Sequence, residues 1–228
     1  MPLDADFLRR FAADWSTPLS PADGCSEEDL SAAEERLGVR LPASVRDFYK
    51  LLGRRPDLTS NQDRLLPPAG LHFDESGQAL VFRDENQGCA QWGIPVQDLH
   101  LPDPPVVFQL DAPYIAPEPW RPFLDRFSLT AAEIVLSENL FRENAYSDNQ
   151  EPSDATLNAL ELRYTRLPLL PDYPMWATPE DPPVRWFTAP DVLIRDDSDA
   201  WLWVRARTER ALDETRRALP GDWQLAPT

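Results

Sequence analysis

The stretch from Ala79 to Ile94, ALVFRDENQGCAQWGI, sets the tightest limit on the fold. Two runs of strand-favouring residues flank a short polar segment, the pattern of paired strands around a corner. Over Ala79–Asp84, residues Leu80, Phe82 and Asp84 share one face and Ala79, Val81 and Arg83 the other, because side chains alternate along a strand. The second run, roughly Cys89 to Val96, sets Trp92, Ile94 and Val96 on one face. Between the runs, Glu85, Asn86 and Gln87 form a dense polar cluster ended by Gly88, a residue suited to a turn.

Upstream of this corner the periodicity is helical. Leu3, Phe7, Leu8, Phe11 and Trp15 recur at helical spacing and predict an amphipathic helix over residues 3–14. Ser26, followed by Glu27, Glu28 and Asp29, predicts a helix start, since the hydroxyl can accept from orphan backbone N–H groups and the carboxylates suit the positive end of the dipole. Leu30, Ala33 and Leu37 form its buried stripe and Gly38 ends it. Val45, Phe48, Tyr49 and Leu52 mark a third helix, with Pro42 near its first turn and Gly53 at its end. Residues 54–68 form a polar connection with no assigned structure.

Downstream, strands alternate with proline-rich loops and helices. Leu71–Asp74 predicts a strand that turns at Glu75–Gly77 and returns through Ala79. Val106–Leu110 alternates as a further strand. Thr130 and Glu133 form the pattern of a capping box, with Ala132, Val135, Leu136 and Leu140 inward. Residues 143–153 read as a polar surface linker, 154–163 as a short helix, and 167–184 as stiff, extended chain. Proline makes up 25 of 228 residues, about twice the usual roughly 5%. Val184–Phe187, Val192–Arg195 and Ala200–Ala206 read as strands. The last is apolar on both faces at its start and therefore central. Thr208 caps a final helix with Leu212, Thr215 and Leu219 inward. The class expected is α+β, in one domain over 1–228: a helical start at 1–53, a sheet core at 65–142 and a strand–helix extension at 154–228.

Composition narrows the function classes. Net charge is −17. Residues 1–150 hold 13 basic and 25 acidic residues and residues 151–228 hold 9 and 14, so both parts are acidic. Nucleic-acid binding needs a basic stripe to displace counterions, and an anionic membrane surface makes the same demand. A basic protein partner is favoured instead, although acidity also serves solubility alone. No run approaches the roughly 18 apolar residues that span a bilayer. The opening Met1–Asp6 is acidic where a signal peptide is basic and then apolar, so a cytoplasmic location is expected. Cys25 and Cys89 lack metal or redox spacing and are expected as free thiols.

Chemistry-bearing patterns are sparse. His72 and His100 are the only histidines, and neither has a partner at zinc-site spacing. There is no nucleophile elbow and no phosphate-cradling glycine loop. Asp196, Asp197 and Asp199 fall between two strong strands and read as a hairpin turn rather than a hard-cation site. No cofactor, no metal and no catalytic residue is expected, and an enzyme ranks behind a binding protein.

The run from Leu30 to Gly53, with Leu37-Gly38, Leu41-Pro42, Phe48-Tyr49 and Gly53, resembles the opening of the SUKH (Smi/Knr-type) superfamily. Glu85-Asn-Gln-Gly88 with Trp92-Gly93, and Asp103-Pro-Pro105, resemble its middle, and the Thr130–Leu140 helix its later portion. The resemblance covers about residues 26–142, and the closing Trp186–Trp223 segment is similar to members with a long C-terminal extension. It implies a curved, mostly antiparallel sheet flanked by helices. It also implies a role, since many bacterial members are immunity proteins that bind and neutralise toxin domains, often nucleases, while others are regulatory scaffolds. The expected function is a non-enzymatic cytoplasmic module that binds a basic toxin domain; the alternative is a regulatory or scaffolding protein that binds a cellular protein or peptide.

The residues expected to meet a partner are Asp84, Glu85, Asn86, Gln87, Trp92, Asp98 and Trp120. Each has a plainer reading beside it. Glu85, Asn86 and Gln87 could instead satisfy local backbone. Trp92 on an alternating strand could be core. Trp120, near Pro119 and Pro122, suits a rim.

Overall fold

Local chemistry starts and stops most helices where the sequence places them. In the computed structural model, which describes residues 3–110, 118–143 and 146–224, helix α1 spans Ala5–Trp15 and Asp4 accepts from the Phe7 N–H at its start. Helix α2 (Glu27–Leu37) opens on a Ser26–Asp29 capping box and closes on Gly38 at φ +71°, a conformation that costs a glycine nothing. Helix α3 (Ala43–Leu52) buries Val45, Phe48, Tyr49 and Leu52 on one stripe, and Pro42 stands at its N-cap. Glu34 of α2 is buried; it accepts from the Leu41 backbone N–H at 2.9 Å and pairs with Arg46 at 2.7 Å, which ties α2 to α3. The connection after α3 contains a single helical turn, α4 (Pro56–Thr59), and a two-residue strand, β1 (Arg64–Leu65).

The first sheet is antiparallel throughout. Its strands are β1, β2 (His72–Phe73), β3 (Ala79–Asp84), β4 (Ala90–Pro95), β5 (Val106–Leu110) and β6 (Arg121–Leu124), in the order β1-β3-β4-β5-β6 with β2 also paired to β3. Helix α5 (Phe127–Leu140) supplies Phe127, which meets Phe82 at 5.2 Å and Phe48 at 5.7 Å, both edge to face. Such contacts join α3, β3 and α5 in one core. Helix α5 begins earlier than its sequence pattern predicts. Thr130 is fully buried inside the helix, and the cap comes from Asp103, whose carboxylate accepts from Ser128 N at 2.8 Å and Ser128 Oγ at 2.7 Å. A cap 25 residues away in sequence leaves no local signature, whereas Thr130–Glu133 imitates one.

A second antiparallel sheet follows in the chain, in keeping with the α+β class expected from sequence. The chain divides into two compact units, Met1–Asn139 and Leu140–Thr228. The second has its own antiparallel sheet, in which strands β7 (Tyr146–Gln150), β8 (Thr165–Arg166), β9 (Arg185–Ala189), β10 (Val192–Asp197) and β11 (Trp201–Ala206) run in the order β7-β11-β10-β9-β8. Within the stretch read as a polar linker, Tyr146–Gln150 therefore forms the edge strand β7. Its polar residues suit a position with one open backbone edge, and its pairing with β11 could not be seen locally. Strand β11 is interior, as its apolar run predicts. Helices α6 (Asp154–Arg163) and α7 (Glu209–Ala218) are capped by Ser153 and Thr208. Leu160, Phe187, Ile194, Leu202, Val204 and Leu212 belong to the core they cover. Asp196, Asp197 and Asp199 do flank a tight turn, with Ser198 and Asp199 at φ +59° and +58°. They are held by Arg185 and Arg195.

Candidate protein-recognition cleft

The polar corner between β3 and β4 is a closed turn. Glu85 N donates to Ala90 O at 2.8 Å and Gly88 N to Glu85 O at 3.0 Å, with Gly88 at φ +74°. The Glu85 carboxylate turns back on its own loop and accepts from Gln87 N at 2.8 Å and Cys89 N at 3.1 Å. It is buried, while Asn86 and Gln87 are displayed to solvent. Glu85 thus satisfies the backbone of its own turn, as the plainer reading has it, while the two amides face outward.

Beside this turn lies a cleft of about 720 Å³, whose lining includes Asp63, His72, Asp84, Glu85, Asn86 and Gln91. Behind it is a buried ionic cluster. Arg83 points from β3 into the interior, 2% exposed, and pairs with Glu133 and Glu138 of α5 at 2.8 Å each and with Asp63 at 3.0 Å. Glu138 also accepts from Asn61 N and Gln62 N at 2.6 Å and from Asp63 N at 3.2 Å, so it anchors the loop that brings Asp63 to the cleft. The Arg83 guanidinium lies 4.7 Å from the centre of the Trp92 ring.

Charge in this cluster does not balance. Burial alone would lower the Arg83 pKa, but Glu133, Asp63 and Glu138 outweigh it and hold it above the ordinary arginine value. Asp63 is pushed up to about 6, first by burial and then by Glu138, Glu133 and Glu85, against the pull of Arg83. One guanidinium thus serves several carboxylates, and Asp63 and Glu85 carry the surplus to the wall of the cleft. Among the described residues, no group of three or more His, Cys, Asp or Glu side chains is placed to hold a metal ion.

The residues expected to meet a partner are only partly gathered here. Asp84, Glu85 and Asn86 line the cleft, and Gln87 is exposed on the same turn outside the lining. Trp92 is corrected to core: it is 1% exposed, between Arg83 and Phe123, whose ring centre is 6.1 Å away. A surface anchor must be reachable, and this ring is not. Asp98 is half-buried in a 3-10 turn over Val96–Asp98, outside the cleft lining. Trp120 is half-buried, donates from Nε1 to Asp74 at 3.4 Å, and lies close over Gly93. A Cβ at Gly93 would come within 2.9 Å of the Ala79 Cβ and 3.2 Å of the Trp120 ring, which accounts for the glycine after Trp92. Sequence reasoning missed Asp63, His72 and Gln91. One signal was available: an arginine inside a strand as apolar as ALVFRD has to find buried carboxylates.

The family model described as SMI1 / KNR4 family (SUKH-1) matches residues 24–112. The match covers 89 of the 228 residues and lies within the N-terminal unit. The match takes in α2, α3 and β1 to β5, and with them the Glu85–Gly88 turn and most of the cleft wall. Glu133 and Glu138 on α5 and the whole second unit lie beyond it. No curated protein and no solved structure matches the chain. Among the described residues, no helix is long and apolar enough to cross a membrane.

Proposed function

We propose that this chain is a non-enzymatic protein-binding module, a cytoplasmic immunity protein of the bacterial SUKH type that neutralises a basic toxin domain. The observation that supports this most directly is the surplus of carboxylate at the cleft of the N-terminal unit. Asp63, Asp84 and Glu85 line it; Arg64, also in the lining, pairs among the described residues with Asp84 alone, and the nearest buried cation, Arg83, is already shared among Asp63, Glu133 and Glu138. An arginine or lysine of a partner entering the cleft would offset that surplus, and opposite fields would steer the encounter. The net charge of −17 favours the same class of partner. Asn86 and Gln87, exposed on the turn, would supply directional hydrogen bonds at the rim.

The test is co-expression with a toxin domain, sought in the reading frames beside that of this chain, alongside a pull-down from cells of the same origin. The expected result is survival of the co-expressing cells and retention of a basic protein that high salt releases. Cells that die at the same rate with and without this chain, with no basic protein retained, would refute the proposal. Charge should be reversed at Asp84 rather than Glu85. Glu85 holds two backbone N–H groups of its turn, so its loss would confound folding with binding.

A further inference from the structure

In the second unit, a buried cation meets no counter-charge among the described residues. Arg205 is on β11 and is 8% exposed. Alternation sets Trp201, Trp203 and Arg205 on one face of the strand, opposite Leu202, Val204 and Ala206, which belong to the core. Among the described residues, no acceptor meets Arg205 Nε or Nη1, or Trp203 Nε1. These are three N–H donors on alternate residues of one strand face. Buried donors of this kind nearly always have partners, and a guanidinium needs one most.

The surroundings add positive rather than negative charge. Burial, followed by repulsion from Arg142, lowers the Arg205 pKa to about 10. The carboxylate on the same face, Asp197, is engaged by Arg195 at 2.6 and 2.7 Å. In the β7–β11 register, Ser147 stands opposite Arg205 and Asn149 opposite Trp203, both part-exposed on the edge strand. Phe141 meets Trp203 edge to face at 5.0 Å.

We propose that this face of β11, with Arg205 and Trp203 as donors, is an oxyanion site that takes a carboxylate or phosphate group. A neutral acceptor would satisfy the N–H groups and leave the charge uncompensated. An oxyanion does both, and the planar guanidinium fork matches its geometry. The site lies outside the residues matched to the SUKH-1 family and is independent of the cleft.

Thermal unfolding of the full chain tests it, with sodium phosphate, sodium acetate and sodium chloride compared at equal ionic strength. The expected result is a saturable rise in midpoint of about 3 °C or more with phosphate or acetate over chloride. The rise should vanish in Arg205→Met. A response to phosphate alone identifies a phosphoryl ligand, and a response to both identifies any carboxylate-like group. Coincident curves in all three salts would overturn the proposal, as would a rise that survives in Arg205→Met. Should Arg205→Met fail to fold, Arg205→Lys keeps the charge and loses the fork. It is expected to weaken phosphate binding at least tenfold, and equal binding would overturn the site.

Discussion

Arg83 and Arg205 are both buried on interior strands of antiparallel sheets, one in each unit, yet their surroundings are opposite. Arg83 is met by Asp63, Glu133 and Glu138, and its cluster carries more negative than positive charge. Arg205 has no carboxylate partner among the described residues and is opposed by Arg142. A buried charge costs several kcal/mol of desolvation, and what its neighbours return decides whether the residue stabilises its unit. The first unit over-compensates its arginine and leaves an acidic cleft. The second leaves its arginine uncompensated and therefore receptive to an anion. The two units thus offer opposite electrostatic invitations within one acidic chain.

The largest expected effect breaks the first half of this contrast. Arg83→Met strands three carboxylates in the interior and should destabilise the first unit by about 3–5 kcal/mol, read from urea unfolding. A loss below about 1 kcal/mol would show that the carboxylates simply protonate and that the cluster is not held together by its cation. Arg205→Met should behave in the other direction. With no oxyanion present, it removes a desolvated charge without orphaning a partner, and stability should be unchanged or rise by about 1–3 kcal/mol. A loss as large as that of Arg83→Met would erase the difference between the two sites.

Titration sharpens the contrast further. Asp63 has its folded pKa raised to about 6 from an ordinary 3.8, and so does Asp196, where burial outweighs Arg185. A raised carboxyl contributes stability that is fully present below pH 3.8 and is lost as pH rises through about 6. Asp63→Asn should remove part of that pH dependence and stabilise the protein at pH 8 by about 1–2 kcal/mol. A slope between pH 4 and 7 identical to that of the parent would assign the shift elsewhere. The smallest stability effect belongs to Asp84→Lys. Asp84 pairs with Arg64, which is 67% exposed, at 2.6 Å, so the change should move stability by no more than about 0.5 kcal/mol. The same change should weaken a basic partner at least tenfold. Partner affinity within twofold of the parent would remove the cleft from the interface.

Elements governed by near neighbours in sequence were legible. The Ser26 cap, the Gly38 stop, the Thr208 cap and the alternation of β5 all follow from residues within a turn or a strand of one another. The candidate cleft was half legible. Asp84, Glu85 and Asn86 stand on the turn where the sequence places them, but Asp63 arrives through the grip of Glu138 on the 61–63 backbone. Trp92 shows the converse error, since a strand's alternation says which side chains share a face and not which face is covered.

The sequence by itself determined the α+β class, the limits of α2, α3 and α7, the central place of β11 and the acidic field, because these depend on local sterics, periodicity and formal charge. Tertiary structure alone decided that residues 146–150 form an edge strand, that Asp103 caps α5, and which carboxylates surround Arg83 while none of the described ones reaches Arg205. Those outcomes turn on contacts between residues tens of positions apart, where burial changes the energy of a charge by far more than any local propensity.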